Sequence, residues 1–134
     1  MKRILIALVA LLSAAACSTT NPASIQGRWQ LVSHGSASSQ MAAAADVDAF
    51  IEFGENGQLS GNVGCNGFGG EYKVDGDVLT VGPNISTKMF CEGPVGEQEA
   101  TTLSVLFESA TFSLEGDTLT ITSADGNSVI MLER

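Results

Sequence analysis

The sequence predicts a single, mainly β domain, in which eight or nine short strands form a small antiparallel barrel and one amphipathic helix packs on it. Three observations support this prediction. The chain has 134 residues, a length typical of one domain. Short runs of alternating apolar and polar residues follow one another, separated by turn residues such as Asn56-Gly57 and Asp75-Gly76. One late segment departs from this alternation and has the residue spacing of a helix.

The first strand is predicted over residues 28–32, where polar and apolar side chains alternate. Trp29 and Leu31 would share its inward face. Residues 35–46 are rich in serine and alanine and have no strong period. They fit a long loop or a short weak helix, and we favour the loop.

The middle of the chain contains short strands separated by tight turns. The predicted strands here are residues 50–53, 58–63, 71–74, 78–81 and 84–91. The last of them would place four side chains on one face: Ile85, Thr87, Met89 and Cys91.

An amphipathic helix is predicted at about residues 96–109. Its buried stripe would consist of Glu99, Leu103, Leu106, Phe107 and Ala110. Pro94 and Gly96 precede the helix, and Glu97 and Glu99 would lie in its first turn, where the helix dipole favours negative charge.

Three further strands are predicted after the helix, at residues 111–114, 118–122 and 129–132. A helix that covers one opening of a barrel would bury both its own stripe and the inward strand faces. Closure of the sheet would also leave fewer exposed strand edges.

The first sixteen residues have the order of a secretion signal. Lys2 and Arg3 precede an apolar run at residues 4–12, which is too short to span a bilayer, and small residues follow. We therefore expect residues 1–16 to be a signal peptide, residues 17–26 a lipidated cysteine with a flexible tether, and residues 27–134 the folded domain. The alternative is a buried N-terminal helix.

Cys17 follows three alanines, and a cysteine in this place resembles the lipobox of bacterial lipoproteins. The resemblance implies that Cys17 is lipidated, although Ala14 stands where such motifs usually carry leucine. Ser18 is not the aspartate that retains such proteins at the inner membrane. These residues predict a lipid-anchored protein of the bacterial cell envelope, at the outer membrane and facing the periplasm. Ordinary cleavage after Ala16, which leaves Cys17 a free thiol, is the alternative.

The chain is acidic, with fifteen Asp and Glu residues against six Lys and Arg residues. Loss of Lys2 and Arg3 with the signal leaves four basic residues and a net charge of −11. Such a surface repels nucleic acid and anionic lipid headgroups, so we expect no nucleic-acid partner. The expected partners are the membrane, through the lipid anchor, and an unidentified envelope protein.

No set of residues suited to catalysis is evident. His34 is the only histidine, and Ser60 lacks the G-x-S-x-G frame of a nucleophilic serine. Loop, turn and helix positions explain the carboxylates that are spaced by two, which are Asp46/Asp48, Asp75/Asp77 and Glu97/Glu99. The sequence therefore predicts that the protein is not an enzyme.

A metal or a cofactor is not expected either. One histidine and two well-separated cysteines do not supply the usual four ligands of zinc. The glycine-rich run at residues 67–70 lacks the lysine and the strand-to-helix transition of a phosphate-binding loop.

The most distinctive stretch is glycine-rich and reads G-N-V-G-C-N from Gly61 to Asn66. A G-x-Y follows at Gly70, then T-x-M-x-C at Thr87, then Glu99 in the predicted helix. These pieces in this order resemble the META domain, the family to which HslJ-type lipoproteins belong. The motif residues are Gly61, Gly64, Cys65, Asn66, Gly70, Tyr72, Thr87, Met89, Cys91 and Glu99, and Trp29 and Leu119 also match.

The resemblance covers residues 27–133. It implies a small β domain that is exported to the envelope or secreted and is connected with heat shock or motility. The family has no established molecular activity, so the resemblance supports the fold and the compartment and assigns no reaction.

A disulfide is predicted between Cys65 and Cys91. With Cys17 assigned to the lipid, these two cysteines remain in a compartment that oxidises thiols. Thr87 and Met89 would be neighbours of the bond. The alternative is two buried free thiols that act as small apolar residues.

Two functions fit the sequence. The first is a non-enzymatic module for envelope stress or protein interaction. The second is a carrier of a small apolar ligand in a barrel cavity. A small domain with few aromatic residues needs most of its apolar side chains for its own core, which favours the first.

Overall fold

A computed structural model describes residues 25–107 and 109–134 of the protein. The predicted signal peptide and the lipidation of Cys17 therefore lie outside the described residues. The strands are β1 (Gly27–Ser36), β2 (Ser39–Ala42), β3 (Phe50–Phe53), β4 (Gln58–Asn62), β5 (Gly67–Asp75), β6 (Val78–Val81), β7 (Ile85–Ser86), β8 (Ser109–Glu115), β9 (Thr118–Thr122) and β10 (Ser128–Glu133). The helix, α1, spans Gly93–Leu106.

The strands form a closed antiparallel barrel. Around the ring the order is β1, β3, β4, β5, β6, β8, β9 and β10, and β10 pairs with β1 to close it. Two short strands lie outside the ring, since β2 pairs with the end of β1 and β7 pairs with β5. This arrangement confirms the predicted barrel.

Large side chains fill the barrel interior. Trp29 and Leu31 both face inward, as predicted, and Trp29 is fully buried together with Phe53 and Leu79. The indole N–H of Trp29 donates a hydrogen bond of 2.8 Å to the carbonyl oxygen of Ile25. Ile25 is itself fully buried, so the folded domain begins at least two residues before Gly27.

A β-bulge in β1 changes which side chains face the interior. Leu31 pairs with Leu132 and Ser33 with Met131, so β1 has one extra residue between them. A bulge of this kind reverses the alternation beyond it. His34 would point outward by strict alternation from Trp29, but it pairs with Ile130 and is buried.

The prediction of a loop over residues 35–46 is wrong for the centre of this range. Strand β2 lies there and forms a hairpin with β1. All four β2 side chains are exposed, so no apolar period marks this strand in the sequence. The strand predicted at residues 84–91 is also mostly wrong, since only Ile85–Ser86 pairs with β5. Ile85 and Met89 are exposed and do not form the inward face predicted for them.

The helix is confirmed, but it begins and ends about three residues earlier than predicted. Pro94 stands in the first turn, where a missing N–H does no harm. Glu97 and Glu99 therefore lie beyond the first turn, and Ala110 belongs to β8. The buried face of the helix consists of Gln98, Glu99, Thr102, Val105 and Leu106.

Helix α1 packs against the barrel at β1, β8, β9 and β10. Val105 and Leu106 join the same core as the inward side chains of the strands. Among the described residues, no helix is long and apolar enough to cross a membrane.

Candidate functional site

Most of the motif residues converge where the β4–β5 loop meets α1. The residues brought together are Gly64, Cys65, Asn66, Thr87, Met89, Cys91 and Glu99. They come from three separate segments of the chain, and a disulfide and a buried polar network join them.

The disulfide joins Cys65 in the β4–β5 loop to Cys91 just before α1, with the two Cα atoms 5.7 Å apart. This confirms the predicted bond. It closes a loop with a sequence separation of 26 and ties the start of α1 to the end of β4.

The Glu99 carboxylate is the centre of the polar network. Its Oε2 accepts hydrogen bonds from the backbone N–H groups of Cys65 and Asn66, both at 2.7 Å. Its Oε1 accepts a hydrogen bond of 2.7 Å from the side-chain amide of Asn66. Glu99 is only 9% exposed, and its charge is met by these N–H donors. The ion pairs found within the described chain involve other residues. Charge-assisted bonds of this kind are stronger than neutral ones.

Asn66 uses its whole side-chain amide. The nitrogen donates to Glu99 and to the carbonyl oxygen of Met89, the latter at 3.1 Å. The oxygen accepts from the backbone N–H of Met89 at 2.7 Å and from the Thr87 hydroxyl at 2.9 Å. An asparagine side chain has two donors and two acceptor positions, and all are occupied. Asn66 thus binds the Met89 backbone as a neighbouring strand would.

Two glycines allow this close packing. A Cβ atom at Gly64 would lie 2.6 Å from the Cβ and 2.8 Å from the Oε2 of Glu99. A Cβ atom at Gly96 would lie 2.5 Å from the carbonyl oxygen of Cys91. All three distances are shorter than real contacts, so only glycine lets α1 lie directly on the cross-linked loop. The sequence pattern identified Gly64, whereas the role of Gly96 emerges only from the structure.

Three motif residues lie elsewhere and shape the barrel. A Cβ atom at Gly61 would meet the Phe50 carbonyl oxygen at 2.4 Å, and one at Gly70 would meet the Pro83 carbonyl oxygen at 3.1 Å. The Tyr72 hydroxyl donates to the Gly54 carbonyl oxygen at 2.7 Å. Burial raises the pKa of Tyr72, and a hydrogen bond with the Gln26 side chain partly offsets that rise.

The segment held by Asn66 and the disulfide exposes large apolar side chains. Ile85 is 82% exposed, Met89 62% and Phe90 87%. We call residues 85–90 the apolar loop. The sequence pattern missed it, because apolar residues that alternate with polar ones predict a half-buried strand.

The residues considered for catalysis do not come together. Asp48 forms an ion pair of 2.9 Å with Arg28, and Ser60 lies on the exposed face of β4. Asp75 and Asp77 flank the β5–β6 turn, as the sequence suggested. The part of the chain that the structure describes has no group of three or more potential metal ligands.

His34 differs from these residues because it is buried, at 3% exposed, and its Nδ1 has no hydrogen-bond partner. Burial lowers the pKa of the His34 imidazole below its ordinary value of 6.5, and the nearby charge of Glu97 partly counteracts this. The histidine is therefore neutral at pH 7.

Comparison with known proteins identifies the family and the fold. A family model described as META domain matches residues 23–134. The fold is similar to an NMR structure of a protein from Burkholderia xenovorans, with a TM-score of 0.67 and 20% identity over 96% of this chain and 99% of that one. A second NMR structure has a TM-score of 0.65 and 28% identity over 84% of this chain and 93% of that one. No curated protein matches the chain.

Proposed function

This chain belongs to the META domain family, and on that premise we propose that it is a non-enzymatic interaction module of the bacterial cell envelope. In this proposal the apolar loop, residues 85–90, binds a partner protein. The observation that carries the proposal is the exposure of Ile85, Met89 and Phe90 on a segment that two separate devices hold in place.

Three large apolar side chains exposed within six residues favour an interaction site, because water solvates apolar surface poorly. These three side chains add nothing to the core, yet the backbone that carries them is held by the disulfide at Cys91 and by the side chain of Asn66. Holding a segment in its bound conformation reduces the entropy lost on binding. In this proposal the disulfide and the hydrogen bonds of Asn66 keep the apolar loop in the conformation that binds the partner.

The charge of the loop favours a protein partner. Lys88 is its only charged residue, whereas the whole chain has a net charge of −9. The acidic surface opposes adhesion to anionic lipid headgroups. A protein with an apolar pocket and an acidic rim would accept the Phe90 ring and pair with Lys88.

No observation favours the apolar carrier suggested by the sequence. The barrel interior that such a ligand would occupy is filled by Trp29, Phe53, Leu79 and Ile121, all less than 2% exposed.

A photo-crosslinking amino acid at position 90, in the full-length protein in its own cells, tests the loop. The control places the same group at Met41, which is also exposed but lies on β2. We expect a single protein adduct from position 90 that is absent from position 41. Adducts to lipid alone, or identical adducts from both positions, would refute the proposal.

Affinity for the purified partner gives the second measurement. The double variant Ile85→Ser, Phe90→Ser should bind at least tenfold more weakly, while Met41→Ser should bind as the wild type does. Because all three side chains are exposed, the near-UV circular dichroism of both variants should match the wild type. Equal affinities for the wild type and the double variant would overturn the proposal.

We further propose that residues 1–16 direct export and that Cys17 carries a lipid at the outer membrane. The order of charged, apolar and small residues before Cys17 supports this. Mass spectrometry of protein from membranes should show a diacylglycerol-sized addition on Cys17, and Cys17→Ala should release the domain in folded form. A mature product that begins with unmodified Cys17 would contradict the proposal.

The absence of catalysis is part of the same proposal. Esterase, peptidase, glycosidase and phosphatase substrates should be turned over no faster than without protein. Turnover that is lost on replacing His34 or one of the paired carboxylates would show that the protein is an enzyme.

A further inference from the structure

Two asparagines of this chain are followed directly by glycine: Asn56 precedes Gly57, and Asn66 precedes Gly67. An asparagine in such a sequence can lose its side-chain amide without an enzyme. The backbone nitrogen of the next residue attacks the side-chain carbon Cγ, a succinimide ring closes, and ammonia leaves. Water then opens the ring to give aspartate or isoaspartate. Glycine favours this attack, because no side chain stands beside the attacking nitrogen.

The structure leaves the first of these sequences open to the reaction. Asn56 is exposed in the turn between β3 and β4. Within residues 25–107 and 109–134, its side chain makes one hydrogen bond, in which Oδ1 accepts from the backbone N–H of Gln58 at 3.3 Å. The attacking group, the backbone N–H of Gly57, donates to the Gly54 carbonyl oxygen, also at 3.3 Å. Both distances exceed the usual range of about 2.7–3.2 Å, so neither reacting group is firmly held.

The fold closes the second sequence. Asn66 is 5% exposed, and its amide nitrogen, which would leave as ammonia, donates to Glu99 and to the backbone of Met89. Its amide oxygen accepts from Met89 and from Thr87. During ring closure the amide carbon becomes tetrahedral, so these four planar hydrogen bonds cannot all persist. The attacking nitrogen would be that of Gly67, which is already part of strand β5.

We propose that Asn56 is a site of spontaneous deamidation in the folded protein, and that the hydrogen bonds of Asn66 protect the second Asn-Gly sequence from the same reaction. The product at position 56 carries a new negative charge next to Glu55. As isoaspartate, it also adds one carbon atom to the backbone of the β3–β4 turn. The reaction at Asn56 requires neither a partner at the apolar loop nor a lipid at Cys17.

Unfolding removes the protection of Asn66, and its deamidation then prevents the polar network from forming again. The amide nitrogen of Asn66 lies 2.7 Å from Oε1 of Glu99 in the folded protein. Deamidation replaces this donor nitrogen with a carboxylate oxygen. Two carboxylates at this distance repel each other, so a chain that has reacted at Asn66 should not recover the native contact.

Mass spectrometry with peptide fragmentation tests the proposal, because it assigns the replacement of –NH2 by –OH to a single residue. Purified folded protein is incubated at mildly alkaline pH, and we expect Asn56 to react at least tenfold faster than Asn66. Asn84 is the exposed control, since it precedes Ile85, whose branched side chain hinders the attack. It should also react at least tenfold more slowly than Asn56. In guanidinium chloride, Asn56 and Asn66 should react at similar rates.

A pair of matched variants tests the origin of the protection. Thr87→Val removes one hydrogen bond to the Asn66 oxygen and should speed the reaction of Asn66 in the folded protein at least threefold. Thr80→Val, at an exposed position on β6, should not change it. Both variants should leave the rate at Asn56 unchanged.

Three results would each overturn the proposal. The first is an unmodified Asn56 in folded protein after a time in which the unfolded protein has reacted. The second is an equal rate at Asn56 and at either Asn66 or Asn84 in the folded protein. The third is an equal rate at Asn66 in the two threonine variants. None of these results bears on partner binding by the apolar loop.

Discussion

Replacing Glu99 with alanine should destabilise the domain strongly. The change removes the acceptor for the backbone N–H groups of Cys65 and Asn66 and one of the two acceptors for the Asn66 amide. Each N–H left buried without a partner costs about 1–3 kcal/mol. Relief of the desolvation of the carboxylate offsets part of this. We expect the free energy of unfolding to fall by about 3–4 kcal/mol, a large share of the ~5–15 kcal/mol typical of a domain.

The conservative variant Glu99→Gln should lose less, about 1–2 kcal/mol. Its side-chain oxygen can still accept from the two backbone N–H groups. Its amide nitrogen, however, would face the donor nitrogen of Asn66, so that hydrogen bond is lost. The matched control is Glu97→Ala, two residues earlier on the same helix, which is exposed and should change stability by less than about 0.5 kcal/mol.

Urea unfolding under oxidising conditions measures all three variants. Trp29, the single tryptophan, is fully buried and reports loss of the core by fluorescence. At roughly 4 °C per kcal/mol for a domain of this size, Glu99→Ala should also lower Tm by about 12–16 °C. If Glu99→Ala loses no more stability than Glu97→Ala, the network does not stabilise the fold and the reasoning is wrong.

Three further predictions concern neighbouring features. Reduction of Cys65–Cys91 should lower the free energy of unfolding by about 3.5 kcal/mol for a separation of 26 residues, and equal urea midpoints with and without reductant would contradict this. Because the folded pKa of His34 lies below 6.5, the unfolded chain binds more protons, and stability should fall as pH drops below about 6.5. Urea titrations between pH 7.5 and 5 should show a shallower fall for His34→Gln, and parallel profiles would exclude His34 as the cause. Gly64→Ala should lower stability by about 1–3 kcal/mol in the same assay, whereas Gly67→Ala, whose Cβ would meet nothing closer than 3.9 Å, should have little effect.

Much of the barrel could be predicted from local pattern, because an inward-facing residue at every second position marks most of the ring strands. The first strand shows this, since Trp29 and Leu31 alternate with polar neighbours and both are buried. Strand β2 could not be found in this way, because all of its side chains are exposed. This strand forms because its backbone hydrogen-bonds to β1. Backbone pairing does not require apolar residues at regular spacing, so the sequence pattern does not reveal it.

The segment from Thr87 to Cys91 shows why pattern failed at the candidate site. It alternates as a strand does, yet both backbone groups of Met89 bond to the side chain of Asn66, which lies 23 residues away. Periodicity records only which side chains a regular strand would bury. It does not show that the side chain of Asn66 makes the backbone hydrogen bonds that a neighbouring strand would otherwise make.

Residue type and local order are enough to predict a mainly β barrel, the single helix and the family, whereas the prediction of the Cys65–Cys91 disulfide also required assigning Cys17 to a lipid anchor. The folded chain alone shows that Glu99 and Asn66 meet, that Phe90 is exposed and that His34 is buried. The meeting of Glu99 and Asn66 depends on hydrogen bonds between segments that are distant in the sequence. The burial of His34 depends on one extra residue in β1, which reverses the direction of the side chains beyond it.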